Sequence, residues 1–174
     1  MSGQAARYQR SAGGMIGAMV VLIAVIVGFV VLRDLNRGPQ QSPVETVDYQ
    51  QSLAFARKQA PFKVLAPERL STGWEATTVE FTPDPWRWHL GVLTDQDRYV
   101  GLEQAEASAE SMVATYVDGD ASPGREVSID GQTWRAWSDS GGDAALVRTT
   151  DRATTLVVGT VDQEVLVGFV ESLR

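Results

Sequence analysis

The chain has 174 residues, of which 44% are hydrophobic, with 15 Lys and Arg against 22 Asp and Glu, one His and no Cys. That length and apolar content suffice for one packed domain of ordinary size and exclude disorder throughout. The lack of cysteine excludes disulfides, thiolate metal centres, a Cys nucleophile and lipoprotein attachment, so the fold must rest on its hydrophobic core.

Residues 1–12 form a polar tail that carries Arg7 and Arg10. Residues 13–32 hold no charged side chain and are built from Val, Ile, Leu, Met, Phe, Ala and Gly. About 20 such residues in a helix cross a hydrocarbon layer about 30 Å thick. A soluble helix would show a polar face, and this stretch has none. A cleaved signal peptide has a shorter apolar run followed by small residues, whereas this one continues directly into Leu32-Arg33-Asp34-Leu35. The segment therefore reads as an uncleaved transmembrane signal anchor. Arg7 and Arg10 precede it, and Arg33 and Arg37 behind it are partly offset by Asp34, which predicts a cytoplasmic N-terminus and an extracytoplasmic remainder. Gly13-x-x-x-Gly17 can bring two membrane helices together, but such patterns arise easily in glycine-rich anchors, and a homodimer is not favoured on it.

Residues 33–44 are polar and broken by Pro39 and Pro43, as in a short tether. The first 37 residues hold four Arg and one Asp, which leaves 11 basic and 21 acidic side chains beyond them and a formal charge of −10. Nucleic acid is excluded as a partner by that sign, and an anionic membrane surface is disfavoured.

Residues 45–174 read as one extracytoplasmic domain. Tyr49, Leu53, Ala56 and Ala60 have helical spacing up to Pro61, which predicts a helix over about residues 46–59. Strand-like runs follow at 74–81, 86–93, 98–104, 126–129, 132–137, 144–149 and 153–159, with Asp130-Gly131 as the strongest hairpin turn. A helix over 109–117 has Ser108 as its N-cap. Another over 161–173 has Thr160 and Gln163 at capping-box spacing and an apolar stripe of Val161, Val165, Leu166, Phe169, Val170 and Leu173. Residues 90–116 and 145–173 share one order, strand, turn, strand, helix, which suggests a weak internal duplication. The expected fold is α+β: an antiparallel sheet with helices packed on one face, preceded by one transmembrane helix.

The most informative local pattern lies in residues 88–104. With Asp95-Gln96-Asp97 as a loop, Leu93 faces Tyr99, Val92 faces Val100, Gly91 faces Gly101, Leu90 faces Leu102, His89 faces Glu103 and Trp88 faces Gln104. A slip by one residue would set Leu90 against Glu103 and scramble both faces. In this register one face is apolar, and the other carries His89, Glu103, Gly91, Gly101, Leu93 and Tyr99. Facing glycines leave bare backbone where a ligand or another chain can approach. His89, Gly91, Tyr99, Gly101 and Glu103 thus form a candidate ligand or partner surface, with hydrogen bonds from His89 and Glu103 and a flat ring from Tyr99. The more common use of such a set is structural: a cross-strand ion pair beside a ring that covers the glycines.

Trp74, Trp86, Trp88, Trp134 and Trp137 fit stacking on a carbohydrate or lipid, but large aromatics in a domain without disulfides are more often core. One histidine cannot build a His-rich metal motif, and no Gly-x-Ser-x-Gly elbow, EF-hand loop or phosphate-binding glycine loop occurs. Neither a cofactor nor a metal is implied.

Trp88-His89-Leu90-Gly91-Val92-Leu93-Thr94 with Tyr99-Val100-Gly101-Leu102-Glu103-Gln104 resembles the signature region of an actinobacterial family, the domain of unknown function 4245. Residues 60–67, Ala145-Leu146-Val147-Arg148 and Val157-Val158-Gly159-Thr160 are similar to the same family. The resemblance implies an exported, membrane-anchored protein of a Gram-positive envelope and brings no activity with it. The leading expectation is a membrane-tethered, non-catalytic module that binds an envelope protein or a small ligand. A carrier or sensor of an apolar, lipid-like molecule is the alternative, and an enzyme of unknown class comes third.

Overall fold

The computed structural model describes residues 46–174, together with the isolated residue Met19. The expected tail, transmembrane segment 13–32 and tether 33–44 lie outside the described residues. Among the described residues, no helix is long and apolar enough to cross a membrane.

Three helices and seven strands form among these residues: α1 (Tyr49–Gln59), β1 (Glu75–Pro83), β2 (Trp86–Leu93), β3 (Tyr99–Ala105), α2 (Ala109–Tyr116), β4 (Ser122–Ile129), β5 (Gln132–Ser138), β6 (Ala144–Thr149), β7 (Thr154–Gly159) and α3 (Gln163–Glu171). The strands make one sheet in the order β1-β2-β3-β7-β6-β5-β4, every neighbouring pair antiparallel. The α+β class and the antiparallel sheet are as the sequence predicts.

Local chemistry sets the element ends. The Asp48 carboxylate accepts from Gln50 N at 3.0 Å to cap α1, and Arg57 and Lys58 stand in its last turn, where the helix dipole favours cations. Pro61 holds Ala60 in extended backbone and stops the helix. Ser108 Oγ accepts from Ser111 N at 3.2 Å, the cap expected for α2. Asp130 and Gly131, both with positive φ, turn β4 into β5.

The core has two layers, one on each face of the sheet. On the first face Trp88, Leu90, Val92, Val100, Leu102, Leu146 and Val157 meet Leu53 and Ala56 of α1 and Leu166, Phe169 and Val170 of α3. On the second, Ala105, Ala145, Val147, Leu156 and Val158 meet Met112 and Val113 of α2. The expectation of helices on one face is therefore corrected: α1 and α3 share a face, and α2 lies on the other. The reason is visible along β7, where alternate residues are apolar on both sides and all six positions are buried.

The suggested duplication does not extend to the packing of the helices. Both α2 and α3 lie against β6 and β7, on opposite faces, so the two strand-strand-helix units share an element order without sharing a packing. The start of α3 also shifts. Asp162, not Thr160, is its N-cap, because the first backbone bonds of the helix, from Val165 N and Leu166 N, run to Asp162 O, and its side chain makes no cap bond. Losing a cap costs about 1 kcal/mol. Burying Leu166, Phe169 and Val170 contributes about 2 kcal/mol each and outweighs it. Strand β4 begins at Ser122, earlier than its apolar pattern suggests, because it is an exposed edge with a bulge between Pro123 and Glu126.

Candidate functional site

Strands β2 and β3 pair in the register expected from side-chain alternation: Leu93 with Tyr99, Gly91 with Gly101, Leu90 with Leu102, His89 with Glu103 and Trp88 with Gln104. The turn is closed by Thr94 N donating to Arg98 O at 2.9 Å, and Thr94 Oγ1 accepts from the backbone of Gln96 and Arg98. Asp97 takes the left-handed conformation at φ 55°.

His89 Nδ1 is hydrogen-bonded to Glu103 Oε1. Glu103 is 2% exposed, and its other oxygen, Oε2, is buried without a hydrogen-bond partner. The bond to Glu103 is the main reason His89 holds its proton above the ordinary imidazole value, against a smaller opposing effect of burial. Burial is the main reason Glu103 is raised, and the imidazole only partly offsets it. Both shifts favour retention of a proton by the pair, whichever group carries it.

The glycines, however, are not bare. A Cβ on Gly101 would stand 2.8 Å from Tyr99 Oη and 3.0 Å from its Cε1, and one on Gly91 would stand 3.2 Å from Tyr99 Cε2. The Tyr99 ring lies across both, and a larger residue at either position would meet it. All five predicted residues come together, but as a filled surface: the glycines seat a ring beside an ion pair. The glycine strip is therefore closed by the Tyr99 ring rather than open. Burial and the Glu103 charge push the Tyr99 phenol up to about 12.

A shallow depression of about 320 Å³ remains beside the ring, lined by Thr78, Glu80, Thr82, Arg87, His89, Tyr99, Glu103 and Tyr116. Glu80, Arg87 and Tyr116 were missed by sequence reasoning. Glu80 faces His89 across β1 and β2, a register interrupted by a bulge between Ala76 and Thr78. Tyr116 ends α2, whose placement on this face follows from the apolar residues of β6 and β7. The depression carries acids and bases in near balance, with the hydrogen-bonded His89 and Glu103 in its wall.

Trp88 and Trp134 are buried in the core, and Trp74 stacks on Phe169 with ring centroids 6.0 Å apart. Trp86 and Trp137 are half-buried.

No curated protein and no solved structure matches the chain. Residues 7–173 match the family described as Protein of unknown function (DUF4245), and the chain belongs to that family.

Proposed function

We propose that the chain is a non-catalytic interaction or ligand-binding module of an actinobacterial cell envelope, tethered by residues 13–32 with its domain outside the membrane. The observation that carries this reading over a carrier is the filled core. Trp88, Leu90, Val92, Val100, Leu102 and Leu166 have no exposed surface and occupy the space between the sheet and α1 and α3, where a carrier would need an enclosed apolar cavity. The surface depressions, of about 320 to 510 Å³, are lined with charged and polar side chains as well as apolar ones.

Full-length chain purified in mild detergent, trimmed by protease to the domain and extracted for mass spectrometry, should yield no stoichiometric lipid. A tightly held lipid would favour the carrier. Protease added to intact cells should degrade the domain and leave a small membrane-embedded fragment. An intact soluble domain beginning near residue 35 in untreated cells would overturn the anchor.

A further inference from the structure

On the first face of the sheet, opposite the face that carries His89 and Glu103, a row of side chains crosses four strands. Gln104 of β3 pairs with Thr155 of β7, Thr155 pairs with Arg148 of β6, and the Arg148 guanidinium lies 5.7 Å from the ring centre of Trp134 on β5. Residues 62–65 lie over the start of this row and are pinned to it. Leu65 N donates to Gln104 Oε1 at 2.6 Å, Gln104 Nε2 donates to Lys63 O at 3.2 Å, and Trp88 Nε1 donates to Leu65 O at 3.1 Å. The β6–β7 turn closes the other side, where Arg152 Nη1 donates to Pro61 O at 3.1 Å. Between them is a groove of about 320 Å³ whose charged lining is Lys63, Arg148, Arg152 and Asp151, with Phe62 and Leu65 as apolar wall.

Three cationic residues thus line one groove in a portion of the chain whose formal charge is −10. Among the described residues, the ion pairs are His89–Glu103 and Arg135–Glu126, so Lys63, Arg148 and Arg152 have no carboxylate partner there. The Arg148 guanidinium lies over the Trp134 ring, and among the described residues this side chain makes no hydrogen bond, which leaves its forked donors free. We propose that this groove is an anion site for a phosphate group carried on a partly apolar body, with Arg148 as the forked donor and Lys63 and Arg152 as flanking cations. A carboxylate would be satisfied by one guanidinium fork, whereas three cations against the Asp151 carboxylate match a doubly charged oxyanion. The acidic surface repels anions at long range, but physiological salt screens beyond about 8 Å, so local charge decides once the anion is at the groove. The pinned wall orders the site in advance and lowers the entropic cost of binding. The site does not depend on the membrane anchor.

Phosphate can arrive as a soluble ester or as a lipid headgroup, and two arms separate them. Full-length chain in maltoside micelles, which contain no phosphate, is titrated by calorimetry with inorganic phosphate in one arm and with micelles containing phosphatidic acid in the other. Saturable binding that weakens with added NaCl is expected in at least one arm, and the responding arm identifies the source. Arg148→Gln should weaken it about tenfold or more, with Arg148→Lys intermediate, because a point charge replaces a fork. Lys63 and Arg152 are exposed, so Lys63→Gln/Arg152→Gln tests the site without touching the core, and a loss of about tenfold is expected there too. No saturable binding in either arm, or binding that the double variant leaves unchanged, overturns the proposal.

Discussion

Glu103 and His89 face each other across β2 and β3, and only one of the two carboxylate oxygens, Oε1, has found the imidazole. The buried carboxylate is therefore half satisfied, in a place where an unpaired acceptor costs about 1–3 kcal/mol. That imbalance governs how the domain responds to pH. His89 is raised above its usual 6.5, chiefly by the bond to Glu103, and Glu103 is raised above 4.5, chiefly by burial. For both groups the folded state binds the proton more tightly than the unfolded chain. Stability is fully present below the unfolded values and is lost as pH rises through the folded ones. Denaturant unfolding should show stability falling as pH climbs above 6.5, and Glu103→Gln should lower the His89 midpoint seen by NMR and flatten the slope. Stability that climbs over this range would contradict the assignment.

Removing one partner should be worse than neutralising the other. His89→Ala leaves a carboxylate buried without its cation and should cost about 3 kcal/mol or more. Glu103→Gln keeps the shape and removes the charge, for about 1–2 kcal/mol. Equal losses in the two variants, measured by chemical denaturation, would mean that the carboxylate is not held inside.

The Tyr99 ring and the glycines beneath it should behave as one unit. Gly101→Ala places a methyl group against Tyr99 and should destabilise by about 1–3 kcal/mol. In a Tyr99→Ala background the same change should cost much less, a coupling of about 1 kcal/mol or more in a double-mutant cycle. Additive losses would show that the ring does not rest there.

Gln104 is 2% exposed and its amide ties residues 63–65 to β7 through three hydrogen bonds. Gln104→Ala strands Leu65 N and Lys63 O and should cost about 2–3 kcal/mol. Hydrogen exchange at Leu65 N should accelerate by at least as much as at the sheet amides. A protected Leu65 N in the variant would mean that the wall is held by other contacts.

The β2–β3 register was legible because period-two alternation, two glycines and one acid opposite one base all agree on a single pairing. The α2 cap was legible because Ser108 precedes an apolar run. Other features depended on partners distant in sequence. Which face α2 covers is decided by Leu156 and Val158 of β7, some forty residues further on. The pattern leaves two readings open, a covered and an open glycine strip; the structure shows the covered one, and the choice depends on the Tyr99 rotamer, which alternation does not encode. The cation groove joins residues 62–65 to residues 148–152, and nothing local in either stretch announces the other.

The position of β7 governs how the domain is made. It is the last strand in sequence yet lies between β3 and β6 in the sheet. A chain that has emerged only as far as Thr149 lacks the strand that joins β1-β2-β3 to β4-β5-β6, so β3 and β6 would each present an unpaired edge. Such edges invite pairing with neighbouring chains. Delivery of residues 154–173 then welds the two sets of strands together and supplies α3, and Arg174 N bonds back to Ala66 O at 3.0 Å. The seven-stranded sheet can therefore close only once residues 154–159 are available.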